Sequence, residues 1–208
     1  MIRFGRWSAV GVGLLIATTS MIPGVAAQEG QWRASLGAGQ TWFNGGVTDT
    51  TNSGVDFTLT PSVTWALAAD RQFGHVRLGV QFSYLSANVQ ATGPGLRLVD
   101  PSFYLRQWGV TALVTVPVLR VGTGGAGLSL SAGPALGWWN ATDSDSRTTF
   151  GGVAALQFAA PITPGWKLLA SAGGSVSGSP FEAGELPVEY IPATLWSGQV
   201  GLGVQYAF

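Results

Sequence analysis

The last strand-like segment constrains the fold more than any other part of the chain. Reading back from Phe208, the apolar residues are Tyr206, Val204, Leu202, Val200 and, past Gly198, Trp196. Ala207, Gln205, Gly203, Gly201, Gln199 and Ser197 alternate with them and are small or polar. A period of two sends the two sets to opposite faces of an extended strand. The apolar face carries aromatics at both ends, as a strand crossing a bilayer does.

The other end of the chain points the same way. Arg3 and Arg6 form a basic start, Trp7 to Thr19 is a short apolar run, and Pro23-Gly24 breaks it. Val25-Ala26-Ala27 then offers a small-residue cleavage site. Residues 1–27 are expected to be a signal peptide, and 28–208 one barrel domain. No later apolar run is long enough for a transmembrane helix. Yet the chain is 46% hydrophobic, only 10% charged, and holds 31 Gly. With no Cys there is no disulfide scaffold. The formal charge is zero and no basic cluster stands out, so nucleic acid is not an expected partner.

The alternation recurs to predict eight strands. The first spans about 32–42, with Trp32, Leu36 and Trp42 outward and Ser35, Gly37 and Thr41 inward. The second sets Phe57, Leu59, Val63, Trp65 and Leu67 against Thr58, Thr60, Ser62 and Thr64. The third opposes Val76, Leu78, Val80, Phe82 and Tyr84 to Arg77, Gly79, Gln81 and Ser83. The remainder centre on 108–116, 128–138, 150–158, 166–176 and 196–208. Each meets the ~9–11 residues that a tilted strand needs to cross a bilayer. Pro61 and Pro134 fall inside strands and predict bulges. Connections at 68–74, 117–127 and 160–165 read as tight turns; those at 43–56, 88–102, 140–148 and 178–193 read as longer loops. Short turns on one side and long loops on the other fit periplasmic and extracellular ends.

Tryptophan sharpens the pattern. Trp42, Trp108, Trp138 and Trp196 fall at predicted extracellular ends, and Trp32, Trp65 and Trp166 at periplasmic ends. All seven share the apolar face, as an aromatic girdle at each interface requires. Trp139 alone breaks parity. The fold class expected is therefore all-β: an eight-stranded antiparallel up-and-down transmembrane β-barrel with short periplasmic turns and four longer extracellular loops.

On these residues the chain resembles the small eight-stranded bacterial outer-membrane β-barrels, the OmpA/OmpX/OmpW-like class. The resemblance implies the outer membrane as location, its lipid as surroundings, and the barrel-assembly machinery as a partner in biogenesis. Leu202, Val204, Tyr206 and Phe208 match the C-terminal assembly signal of that class. Fold does not fix function within it.

Chemistry-bearing residues are few. The single His, His75, sits at a predicted turn, with no Ser–His pair at the outer rim of the kind barrel acyltransferases and deacylases use. No catalytic, cofactor or metal site is expected. Gly122 to Gly127 is Gly-rich, but a strand follows it, so it is no phosphate loop. Asn140-Ala141-Thr142 fits a glycosylation sequon by coincidence. At the extracellular side Asp49, Asp56, Asp100, Asp143, Asp145, Glu182, Glu185 and Glu189 outnumber Arg97, Arg106 and Arg147. At the periplasmic side Arg33, Arg77 and Lys167 have inward parity and form a basic mouth, in a layer expected to hold no acid. The rest of the lumen reads as Gly, Ser, Thr and Gln. The expected function is a non-enzymatic barrel, structural or surface-interacting through its loops, whose ligand the sequence does not name. The alternative is a narrow channel for water, ions or small solutes, and a lipid-modifying enzyme ranks last.

Overall fold

The computed structural model describes residues 30–208 apart from 52–53, 122–124, 142–145, 183 and 185, and not the side chains of 96 and 100–103. The expected signal peptide lies outside the described residues. So do residues 122–124 of the Gly122–Gly127 segment, Thr142 of the sequon, Asp143, Asp145 and Glu185, along with the side chain of Asp100.

Nine strand segments follow one another: β1 (Trp32–Asp49), β2 (Asp56–Leu59), β3 (Ser62–Phe73), β4 (Val76–Gly93), β5 (Leu96–Val121), β6 (Ala126–Ala141), β7 (Arg147–Thr163), β8 (Trp166–Ser177) and β9 (Tyr190–Ala207). Every pairing is antiparallel. β1 pairs with β9 from Arg33↔Ala207 to Asp49↔Tyr190, which closes an eight-membered ring. β2 is the continuation of β3 along β4, set off by the break at Thr60-Pro61.

Pro61 does bulge. Pairing with β4 shifts between Thr64↔Leu85 and Leu59↔Val89, and side chains patch the ladder. The Asn88 amide donates to the Thr60 hydroxyl at 3.0 Å, and the Ser62 hydroxyl donates to the Ser86 carbonyl. The bulge reverses parity beyond it. Leu59 was expected on the lipid face, but it is 1% exposed and points inward.

Pro134 does not bulge as expected. Thr111↔Ala135 and Val114↔Ala132 keep one register across it, and Pro134 faces Gly152 in step. Beside it, Gly133 lets β5 and β6 pinch together. A Cβ there would land on the Ala112 carbonyl oxygen.

The strands also run further than the alternation alone indicated. β3 reaches Phe73 and turns at Gly74-His75, and β7 reaches Thr163 before Pro164-Gly165. The segment 88–102, expected to be a loop, is a hairpin arm. β4 and β5 stay paired up to Gly93↔Leu96 around Pro94-Gly95, whose Gly95 φ of 73° suits the third position of a type II turn. At about 3.3 Å per residue, the 26 residues of β5 far exceed what a bilayer crossing needs.

Where the strands outrun the bilayer, the face pattern inverts. Trp42, Tyr84, Trp108, Trp138, Phe150 and Trp196 point outward near the loop end. Two residues further toward the loops, the outward positions are Asn44, Ser86, Arg106, Asn140, Thr148 and Thr194, all exposed. Over the same stretch the interior turns apolar. Below it, the outer face is apolar and exposed, as at Leu36, Leu67, Phe82, Val114, Leu156 and Leu202. Such a closed ladder with an apolar exterior is a membrane-spanning barrel, because lipid offers no partner to an unpaired backbone group.

Three substitutions test this geometry in urea titrations of the lipid-refolded protein. Ala132, exposed at mid-β6, should cost about 2–4 kcal/mol as Ala132→Arg if it lies at the bilayer midplane. Gly133→Ala should cost about 1–3 kcal/mol through overpacking. Gly198→Ala, where a Cβ meets nothing within 4 Å, should be close to neutral.

Candidate functional site

The lumen is the concave feature of the molecule, and its two ends are built from different chemistry. In its middle, Thr41, Thr64, Ser131, Ser175, Ser197 and Gln199 line a cavity of about 150 Å³. A second cavity of about 70 Å³ lies toward the turn end beside Ser35, Gln157, Ser171 and Gly203. Polar walls of this size have room for several waters. Hydroxyl pairs bridge neighbouring strands: Thr41–Thr64 at 2.6 Å, Thr115–Ser131 at 2.8 Å and Ser175–Ser197 at 2.7 Å.

The loop end holds an apolar plug. Leu59, Leu85, Ala87, Leu105, Trp139, Phe181 and Leu195 form one buried cluster. Trp139, the tryptophan of the wrong parity, is its largest member at 1% exposure. Phe181 comes from the β8–β9 connection, which folds back over the barrel with Pro180 buried beneath it. Arg147 anchors that segment. Its Nε lies 3.2 Å from Glu182 Oε1, and an Nη1 hydrogen bond goes to the Pro180 carbonyl. The Ser179 hydroxyl donates to the Gly46 carbonyl at 2.7 Å and accepts from the Phe181 amide at 3.0 Å. Arg147, expected among the exposed loop charges, is thus an internal strut.

The turn end is polar and charged. Arg33, Arg77 and Lys167 all face the lumen, but an acid shares their layer, contrary to expectation. Asp70 sits opposite Arg33 in the β1–β3 register and 4.0 Å from Arg77 Nη1. It was missed because the turn was placed too early; with β3 running to Phe73, Asp70 and Gln72 take inward positions. Arg33 Nη2 donates to Gln72 Oε1 at 3.3 Å, Arg77 Nη2 to the Ser129 hydroxyl at 3.1 Å, and Lys167 Nζ to the Gly125 carbonyl at 3.3 Å.

The seven girdle tryptophans all lie on the outer face, but Trp65 is at the other end from the one expected. It pairs with Tyr84, Tyr84 with Trp108, and Trp108 with Trp138, forming one aromatic row toward the loop end. Tyr84 and Trp108 are 4.6 Å apart. Trp32 and Trp166 stay at the turn end, where Trp166 packs 4.9 Å from Tyr206. Leu202, Val204 and Tyr206 share the outer face of β9, and Phe208, one residue past its end, is exposed as they are. Phe208 also pins the seam, its amide donating to the Trp32 carbonyl at 3.0 Å and its carbonyl accepting from the Trp32 amide at 3.2 Å. Among the described residues no three His, Cys, Asp or Glu side chains gather as metal ligands.

Solved structures share this architecture. The outer membrane protein OprG from Pseudomonas aeruginosa superposes with a TM-score of 0.53 at 13% identity, over 86% of this chain and 96% of its own. Neisserial surface protein A superposes equally well, at 0.53 and 13% identity, over 86% and 97%. A major outer membrane protein from Thermus thermophilus reaches 0.51 at 15% identity, over 85% and 99%. No protein-family model and no curated protein sequence matches the chain. The chain has the fold of the small eight-stranded outer-membrane β-barrels.

Trp139→Ala should destabilise the barrel by about 3–5 kcal/mol, the usual cost of emptying a buried tryptophan site. Denaturant titration of the lipid-refolded protein reads this directly. Trp138→Ala, on the outer face, should cost less.

Proposed function

We propose that this is a non-enzymatic β-barrel of a bacterial outer membrane, with its turns in the periplasm and its loop end outside the cell. In this reading the lumen is not a permanent pore. The barrel is a scaffold that holds the β4–β5 arm and the β8–β9 segment at the cell surface. One observation carries it: the apolar plug of Trp139, Phe181, Leu195, Leu59 and Leu105 across the loop end of the lumen. Ions do not cross an apolar closure without displacing it. The arm supports the surface role, because it presents exposed Arg97, Leu98 and Val99 beyond the aromatic row.

The apolar exterior takes outer-membrane lipid as its solvent. The outer face of β9 from Leu202 to Phe208 is the surface that the assembly machinery would read. Its aromatic end also holds the seam with Trp32, so loss of Phe208 would weaken recognition and closure together. The second reading is a narrow conduit for water, ions or small solutes. It is favoured by the polar cavities below the plug and requires the plug to move.

Planar-bilayer recording separates the two. The protein as it stands should give no steady conductance at either polarity. The double variant Trp139→Gly and Phe181→Gly, if it still shifts mobility between unboiled and boiled samples, should conduct. Steady conductance from the unmodified protein would sink the closed-lumen reading and leave the channel in its place.

A further inference from the structure

The periplasmic mouth of the lumen holds more positive charge than its own carboxylate can balance, and its cations are already held in place. We propose that this mouth is a binding site for a soluble phosphate-type oxyanion, inorganic phosphate or a small phosphate monoester, entering from the periplasm. The orientation rests on the outer-membrane reading above.

The layer is assembled from six strands. Arg33 comes from β1, Asp70 and Gln72 from β3, Arg77 from β4, Ser129 from β6, Lys167 from β8 and Gln205 from β9. These residues would be scattered without barrel closure; register places Lys167 against Gln205 and Gln205 against Ser35. Lys167 interacts electrostatically with Arg33, Arg77 and, at the rim, Arg120. Asp70 interacts with both Arg77 and Arg33. Three lumen cations less one carboxylate leave a net charge of about +2, in a mouth walled by protein where unbalanced charge is costly.

The side chains are positioned rather than free. Gln72 is buried, spends its amide on the Gly74 carbonyl, and turns its oxygen to Arg33. Ser129, also buried, receives Arg77. The polar partners of Arg33, Arg77 and Lys167 take only part of their donor capacity, since a guanidinium and an ammonium each carry several N–H groups. Asp70 draws on Arg77 only at 4.0 Å, a contact too long for a hydrogen bond. Among the described residues, what remains is a set of directed donors with capacity to spare, in the layer next to the 70 Å³ cavity, whose lining Ser35 pairs with Gln205 across the seam.

Charge selects the ligand class. A phosphate monoester carries about −1.5 to −2 at neutral pH, which matches the surplus; a carboxylate or chloride leaves half of it unmet. Its oxygens also suit the fork of an arginine. The cations face the lumen and not the lipid, so the source is a soluble phosphate rather than a phospholipid headgroup.

The test uses the full chain refolded in zwitterionic detergent micelles at low ionic strength, titrated with inorganic phosphate and with glycerol phosphate. Calorimetry reads affinity, and amide NMR reads location. Saturable binding is expected, with shifts confined to residues around Gln72, Arg77, Ser129 and Lys167. Arg33→Gln or Lys167→Gln should weaken it by about tenfold each, as loss of a charge-assisted contact does. Lys167→Arg should retain it. Asp70→Asn, which removes the competing carboxylate, should tighten it, a sign that general loosening of the barrel would not produce. Unboiled gel mobility reports whether each variant is folded. Three results overturn the site: titration without saturation, binding unchanged in folded Arg33→Gln and Lys167→Gln, or binding seen only with vesicles containing phosphatidylglycerol. Conductance tests the closed lumen separately. A conducting barrel that binds phosphate at these residues leaves the site standing, and a silent barrel that does not bind it removes the site alone.

Discussion

Closure of the hydrogen-bonded ladder is the constraint on which everything else depends. Hydrocarbon gives an unpaired N–H or C=O nothing to bond, so a sheet survives there only without edges. The seam between β1 and β9 meets that demand, down to the reciprocal Trp32–Phe208 backbone pair. The same demand explains the repair at Pro61. A proline removes one ladder donor, and the hydroxyls of Thr60 and Ser62 bind backbone groups of the facing strand where the register slips. The break also lies toward the loop end, where β1 and β2 are no longer paired and the outward residues turn polar.

Once lipid takes the apolar face, the interior need not be a hydrophobic core. Gly37, Gly133, Gly173, Gly201 and Gly203 let neighbouring backbones pack closely inside, and Ser and Thr satisfy one another across strands. Above the aromatic row the solvent outside becomes water, and the logic of a soluble protein returns. Asn44, Ser86, Arg106 and Asn140 face out; Leu85, Leu105, Trp139 and Leu195 face in. The plug is the core of this emergent part of the barrel. The structural need to bury apolar surface in water accounts for that cluster.

That inversion sets how far the sequence could be read. Alternation with an apolar outer face was legible wherever lipid surrounds the strand, and it gave the ring, the outward parity of seven tryptophans and the direction of the turns. Where the faces exchange roles the same template fails. The arm from 88 to 102 read as a loop because it is long, largely polar and broken by Pro94-Gly95 and Pro101. Leu59 was assigned to lipid because the Pro61 bulge was anticipated without the parity change it brings. Trp65 and Asp70 were misplaced by one shared error, a turn set several residues before Gly74. The plug had a single local signal, the odd parity of Trp139. Phe181 meets it from a connection 42 residues further along the chain (181 against 139), and no periodicity encodes that contact.

The two ends then divide the interior by kind of solvent. The outer closure is apolar and is reinforced by Arg147 holding the β8–β9 segment, so opening it means exposing Phe181 and Trp139 to water. The inner mouth is charged and hydrogen-bonded, so water and ions stabilise it rather than threaten it. If the lumen is closed as proposed, a barrel sealed by apolar packing on one side and polar on the other would exchange its lumen contents with one compartment only. On that reading, whatever resides among Thr41, Ser131, Gln157 and Gln199 would arrive past Arg33, Arg77 and Lys167. On the proposed reading the cations would filter what enters that chamber, and their partial neutralisation by Asp70 would set how strongly it favours anions.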